Sequence, residues 1–478
     1  MEKTATEFVL YAGLRTIGGV IASVTYGKSR VIFEFGTPYD PAAPVFDQTI
    51  ELRPNHWIGD LLKMGQLPGI NGLYRRADLG EDSLVSAEES GLNTAVFITH
   101  LHLDHMALMG AIAPQIPVYL HRSAQIIERA LEATGQGVPS LLREYSDIEP
   151  FQPVIIGEIE VLPILCRDTG YCDFAFLITT PDGTIHWTGD LFLHGVQAEK
   201  SIEQMKLLKA RNIDVLLCDA TAFMDSSMEM VYGFTDISLV KPDLSVPENM
   251  LSERQRIDEI RKIIAECRGL CVFNYYPREM DDADMLMQCA NGVGRRCVFE
   301  PEAAYIVFRF FHIKPDVFLP DADSAPSSAA PEWLNDLLEH CSVVTPQQIA
   351  EHPAGYLLQN SYKHLLELFS LPGRDGVYIH MGGAPAGEFD PAYQKMCGIV
   401  ETAGFAFSAT QENYLGHSYP GQVKYFVDFV DPKVLIPCHS KNPERLLPLN
   451  GKQLLPELGK TYLLDHHRFY PQEDGAEA

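Results

Sequence analysis

"TAVFITHLHLDHM", Thr94–Met106, is the stretch on which the reading of this chain turns. Ala95–Ile98 is an apolar run of strand length. His100, His102, Asp104 and His105 then fall within six positions. Side chains alternate along an extended segment, so His100 and His102 project to one side. Asp104 and His105 lie on the following turn and can face a second position close by. Imidazole and carboxylate are donors for zinc, and also for manganese or iron. Two such ions about 3.5–4 Å apart can hold a hydroxide and take up charge developing on a scissile group. The plain alternative is a solvated polar turn, but the six-residue pattern is rare by chance.

Other short apolar runs also stop at a polar residue. "TIHWT" leads into Gly189 and Asp190, "DVLLC" into Asp219, and "KVLIPC" into His439. Each has the length and composition of a buried strand. Ligands of open α/β sheets gather at the C-terminal strand ends. The expectation is one chemical site at one edge of one sheet, assembled from parts distant in sequence.

Between Asp219 and His417 the pattern becomes helix–strand alternation. Ser252 with Gln255 three residues on forms a capping box. Ile257, Ile260 and Ile264 share a helical face, and Gly269 is the expected stop. "LCVFNYYP" and "GVYIH" read as strands. The resulting organisation is a first domain over 1–220, an inserted α/β domain over 221–412, and a return over 413–478. "LPDADSAPSSAAPEW", Leu319–Trp333, reads as a loop, and the tail "YPQEDGAEA" as frayed.

Composition narrows the function classes. At 478 residues the chain exceeds one ordinary core, so two lobes are expected. No apolar run has the length of a membrane span. The opening residues do not have the form of a secretion signal, and the ten cysteines contain no Cys-x-x-Cys pair. Reduced thiols and a cytoplasmic setting are therefore expected. The net charge of −27 opposes nonspecific binding of polyanions. A nucleic-acid substrate would need metal ions or a local basic groove.

These motifs resemble those of the metallo-β-lactamase hydrolases, specifically the β-CASP branch that includes ribonuclease J, along nearly the whole chain. "THLHLDH" is similar to the metal motif, "DGTIHWTGDL" to the segment with a bridging aspartate, and "VLLCDAT" to the acidic motif before the insert. "LGHSYPGQVKYFVDFVDPKVLIPCHS" is similar to the closing pair of motifs. "NYYPREMDDADM" and "GGAPAGEFDP" resemble phosphate-contacting loops. The resemblance implies an αββα sandwich carrying a β-CASP-like α/β insert. It also implies a dinuclear hydrolase, zinc-dependent or alternatively manganese-dependent, that cleaves RNA or another phosphodiester.

The implied roles follow residue by residue. His100 and His102 bind the first metal, and Asp104, His105 and His439 the second. Asp190 bridges them. His417 touches the scissile phosphate or protonates the leaving oxygen, assisted by Asp219, and Asp104 belongs to the catalytic set. Arg278, His380 and Ser418 are candidate substrate contacts. Tyr275 and Tyr276 stack on bases or cover the insert's own core. The sequence departs from the family at Asp168, where a histidine usually completes the first site, and at Glu34, where an aspartate usually supports the metal shell. Asp168 is either a carboxylate ligand or a lost one.

Two other functions fit the same residues. One is a metallohydrolase of a small ester, lactone or amide. The other is a catalytically degenerate partner subunit. A homodimer is compatible with either enzyme, and no membrane partner is expected.

Overall fold

The computed structural model describes residues 5–46, 50–80, 83–141, 143–167, 173–320, 330–410 and 413–473. The chain is a mixed α/β protein of two compact units. The first comprises Met1–Gln125, Val138–Pro247 and Gly416–Ala478, the second Ile126–Gly137 and Glu248–Leu415.

The first unit holds an eight-stranded and a seven-stranded sheet among the described residues. In the first sheet, Thr6–Ala12, Ile21–Tyr26 and Ser29–Phe33 run antiparallel. Asn93–Phe97 then joins Ser29–Phe33 in parallel, followed by Val118–His121 and Ser146–Ile148. In the second sheet, Ile159–Arg167, Asp173–Thr180 and Gly183–Trp187 are antiparallel neighbours. Gly183–Trp187 continues in parallel to Val215–Asp219 and Val434–Cys438.

Period-two alternation explains why these sheets face one another. Val161, Phe174, Phe176 and Ile178 of the second sheet share a core with Phe8, Val24, Val31 and Phe97 of the first. Their sequence neighbours Leu162, Ile164, Ala175 and Leu177 point the other way. They pack against Met205 and Leu208 of helix Ala198–Arg211 and Val423 and Val427 of helix Pro420–Val430. Trp187, Phe33, Phe97, Phe174 and Phe176 are fully buried; burying a large apolar side chain contributes about 1.5–3 kcal/mol.

The four apolar runs are strands as expected, but they do not belong to one sheet. Asn93–Phe97 lies in the first sheet and the other three in the second. Both sheets deliver their strand ends to the same side of the shared core, which composition alone does not reveal.

Among the described residues the second unit is built on a seven-stranded sheet whose pairings are all parallel. Cys271–Asn274 lies between Tyr356–Gln359 and Val377–His380. Helix Glu253–Glu266 precedes it, with both bonds of the Ser252–Gln255 capping box formed. The helix ends at Cys267 rather than at Gly269. Gly269 serves close approach instead: a Cβ there would lie 2.6 Å from the Asp375 backbone.

The insert also starts later than expected. Residues Thr221–Pro247 belong to the first unit, because Phe223, Ile237 and Leu244 pack onto the outer core of the second sheet. The return begins at Gly416. Most of the Leu319–Trp333 segment lies outside the described residues; helix Glu332–His340 begins at its end.

Candidate metal centre

His100 and His102 follow the strand Asn93–Phe97, and Asp104 and His105 sit on the single helical turn Leu103–Met106. The main chain clamps this turn. Gly19 N–H donates to the Asp104 carbonyl (2.8 Å), and Phe35 N–H donates to the His105 carbonyl (2.8 Å). Gly36 is required by this approach, since a Cβ on it would lie 2.1 Å from the Asp104 carbonyl group. Gly18 is constrained twice, by a φ of +63° and by contact with the Asp104 side chain.

Asp190 follows Gly183–Trp187, and its two oxygens face different partners. Oδ2 lies 3.5 Å from His100 Nε2, 4.0 Å from His102 Nδ1 and 3.8 Å from His417 Nε2. Oδ1 lies 3.1 Å from His105 Nε2 and 3.6 Å from His439 Nε2. Asp104 Oδ2 is 3.0 Å from His439 Nε2 and 3.7 Å from His105 Nε2. The donor atoms of His100, His102 and Asp190 form one group able to hold a metal ion. Those of Asp104, His105 and His439 form another, and Asp190 also groups with His417 and His439.

Four of the imidazoles are aimed by an oxygen behind them. Thr99 Oγ1 lies 2.9 Å from His100 Nδ1, and Thr221 Oγ1 2.6 Å from His439 Nδ1. Asp219 Oδ2 accepts from His417 Nδ1 at 2.8 Å. Glu34 Oε1 is 3.5 Å from His105 Nδ1. In each case Nε2 is left facing Asp190; Thr99, Thr221 and Asp219 fix ring orientation and tautomer, while Glu34 approaches His105 without hydrogen-bond geometry. Glu34 is itself held by Trp187 Nε1–H at 2.8 Å and adopts a φ of +57°. His439 also has a φ of +57°. Left-handed backbone at non-glycine residues is strained and concentrates at functional sites.

At this centre buried carboxylates and imidazoles hold one another charged. Burial opposes ionisation of Asp104 and Asp190, but the neighbouring imidazoles, His105 foremost, hold both carboxyls well below the usual range. Burial likewise disfavours charge on His439, yet Asp190 and Asp104 outweigh it and raise its pKa to about 9. His105 is driven upward in the same way. His100 is lowered, by burial and then by the adjacent His105 and His102. Despite complete burial, neither ring nitrogen of His105 nor Oδ1 of Asp190 has a hydrogen-bond partner of acceptable geometry. Buried polar atoms left this way call for a missing partner, and this donor set suits a divalent ion.

Of the residues singled out from sequence, His100, His102, Asp104, His105, Asp190, Asp219, His417 and His439 converge. Asp168 lies outside the described residues. Ser418 is committed elsewhere: its Oγ accepts from Leu193 N–H (2.8 Å) and its N–H donates to the Leu191 carbonyl (2.7 Å). Thus it ties the chain ahead of helix Pro420–Val430 to the loop after Asp190, and its expected substrate contact is corrected to a structural bond. Arg278 is corrected likewise. Its guanidinium is buried within the second unit, 2.9 Å from Glu128 and bonded to the Gln136 carbonyl (3.1 Å), so it is not an open phosphate-binding arm. His380, at the end of Val377–His380, is buried against Asn274 Oδ1 (2.8 Å), and burial lowers its pKa to about 4. Tyr275 is buried beside Phe273, covering the core. Thr99, Thr221, Gly18 and Gly36 are functional residues that the sequence motifs do not mark.

No family model matches the chain, and no curated protein matches it. Among solved structures, it is similar to a protein of unknown function from Enterococcus faecalis V583. The identity is 24% and the TM-score 0.74, over 96% of this chain and 100% of that one. That likeness shows a shared α/β fold along almost the full length.

Proposed function

We propose that this protein is a dinuclear metal-dependent hydrolase of the metallo-β-lactamase type with a β-CASP-like insert, acting on a phosphodiester, RNA foremost. The observation that carries this reading is the division of Asp190. One carboxylate oxygen faces His100 and His102, and the other faces His105 and His439 beside Asp104. The residues fit two divalent ions, zinc by donor type and manganese as the alternative. His100, His102 and Asp190 would hold one, and Asp104, His105, His439 and Asp190 the other. When bound, such a pair supplies Lewis acidity to a phosphoryl oxygen and makes water a nucleophile near neutral pH.

The chain's own groups account for the rest. Asp219 accepts from His417 Nδ1–H and from the N–H groups of Leu191 and Thr221 (3.0 and 2.9 Å). It is therefore immobile and holds the His417 ring with Nε2 directed at the centre. His417 Nε2 is the atom that passes a proton to the departing oxygen, a role worth about 10²–10⁴-fold in rate. A small ester, lactone or amide is the second reading. It is favoured by the commitment of Arg278 to Glu128, which removes one expected phosphate contact.

The test is metal content together with hydrolysis of bis-p-nitrophenyl phosphate and labelled RNA, using the intact protein and His102→Ala. Two metals with RNA cleavage lost in the variant support the reading. Two metals without phosphodiester cleavage redirect it to small esters and amides. Failure to bind metal overturns it in favour of a degenerate binding partner.

A further inference from the structure

Asp190 and His417 lie on two segments of the first unit, 190–194 and 416–422, and a ladder of buried contacts joins them. Leu191 N–H and His417 Nδ1–H both donate to Asp219 Oδ2, at 3.0 and 2.8 Å. Ser418 adds two bonds: its N–H donates to the Leu191 carbonyl (2.7 Å), and its Oγ accepts from Leu193 N–H (2.8 Å). His194 closes the ladder. Its ring stacks on that of Tyr419, with centroids 4.3 Å apart and planes 24° from parallel, and meets Phe192 at 4.3 Å. His194 Nδ1 lies 3.2 Å from Gln422 Oε1. The same oxygen accepts from Tyr419 N–H (3.0 Å), while Gln422 Nε2 donates to the Leu244 carbonyl (3.1 Å). An oxygen therefore faces His194, and Nδ1 carries the proton.

Burial makes the ladder stiff. Ser418, Tyr419 and Gln422 are 0% exposed and His194 is 3% exposed. Water cannot replace a bond broken there, so each break leaves a buried donor or acceptor unpaired. Asp219 holds the His417 ring through one atom, about which the ring could still swing. Ser418 fixes the main chain next to that ring, and His194 fixes the residue after Ser418. His417 Nε2, 3.8 Å from Asp190 Oδ2, is thus located from its side chain and from its backbone.

We propose that Ser418 and His194 are positioning residues that set the distance between the bridging carboxylate of Asp190 and the proton donor His417. The inference rests on the phosphodiesterase reading and assigns to this ladder the part of the rate that depends on protonating the departing oxygen. Displacement of a reacting group by about 1 Å can cost about 10²-fold. A leaving group that departs as a stable anion does not need the proton, so the loss depends on the substrate.

Ser418→Ala removes the acceptor for Leu193 N–H, and His194→Phe keeps the stack on Tyr419 but loses the bond to Gln422. Both full-length variants should cleave labelled RNA about 10–100-fold more slowly than the parent. Hydrolysis of bis-p-nitrophenyl phosphate, which releases p-nitrophenolate, should stay near the parent rate, and so should metal content. A second readout needs no turnover: diethyl pyrocarbonate should modify His417 faster in the variants than in the parent. The tryptic peptide 396–424 contains no other histidine, so its mass reports this residue alone. Equal losses on both substrates, or loss of metal with activity, would show that the ladder serves the fold rather than proton transfer and overturn the proposal. Unchanged RNA cleavage overturns it as well. A parent inactive on both phosphodiesters defeats the phosphodiesterase reading separately; the carbethoxylation rate then decides, and equal rates in all three proteins overturn the positioning role.

Discussion

The hydroxyl of Thr221 lies 2.6 Å from Nδ1 of His439 and 2.7 Å from Oδ1 of Asp219. Its single proton is drawn to the carboxylate, so its oxygen accepts from His439 Nδ1–H. That leaves the Nε2 lone pair of His439 facing Asp104 and Asp190. Thr221→Val removes this constraint and should weaken zinc affinity about 10–100-fold, as measured by chelator competition. Thr221→Ser should recover most of the loss. Equal affinities in all three proteins would refute the tautomer argument.

The clamp on the metal turn is tested sterically. A Cβ on Gly36 would fall 2.1 Å from the Asp104 main chain. Gly36→Ala should destabilise the first unit by about 1–3 kcal/mol, the usual range for overpacking, and should abolish metal binding. Urea unfolding monitored by tryptophan fluorescence, paired with metal content, reads both effects.

His417 and the ligands should separate functionally. His417→Ala should lower phosphodiester hydrolysis by about 10²–10⁴-fold while bound metal remains near that of the parent. Loss of metal in parallel with activity would instead make His417 a ligand, which its 3.8 Å approach to Asp190 permits.

Arg278 and Glu128 form a buried pair whose side chains are 4% and 0% exposed. Removing one partner strands the other charge, so Arg278→Met should cost about 3–5 kcal/mol, and adding Glu128→Leu should restore part of that. A double-mutant cycle by chemical denaturation measures the coupling. A groove role for Arg278 would instead lower substrate affinity with stability unchanged.

Acid stability should report His186. Burial lowers its pKa to about 3, and a hydrogen bond with the Phe176 backbone offsets only part of that. The folded imidazole therefore stays neutral while the unfolded one takes a proton below about 6.5. Its stabilising contribution is full above that pH and is lost as pH falls from about 6.5 towards 3. The slope from this residue approaches about 1.4 kcal/mol per pH unit. His186→Phe should flatten the pH dependence of the urea midpoint across that interval; an unchanged slope would exclude His186 as the source.

The legible and illegible parts of this chain divide on physical grounds. The strands ending at Phe97, Trp187, Asp219 and Cys438 were readable because each is a short apolar run closed by a chemically distinctive residue. The capping box at Ser252 was readable because it is purely local. The allocation of those strands to two facing sheets was not, since it depends on which side chains interdigitate across the core. Arg278 and Ser418 were misread for a related reason. A polar side chain looks available until its buried partner, Glu128 or Leu193 N–H, is located. Thr99 and Thr221 escaped notice because a hydroxyl behind a histidine carries no spacing signal of its own.

The pairing of Thr461–Asp465 with Thr6–Ala12, and of Val434–Cys438 with Val215–Asp219, dictates an order of assembly during synthesis. The strands of the second unit, Cys271 to Ala409, are contiguous in sequence, so that sheet can close while the ribosome is still working. The first sheet holds an unfilled edge beside Thr6–Ala12 until Thr461–Asp465 pairs there, and such long-range closures are slow. The group of Asp104, His105 and His439 is therefore complete only once Val434–Cys438 has paired, whereas that of His100, His102 and Asp190 does not require it.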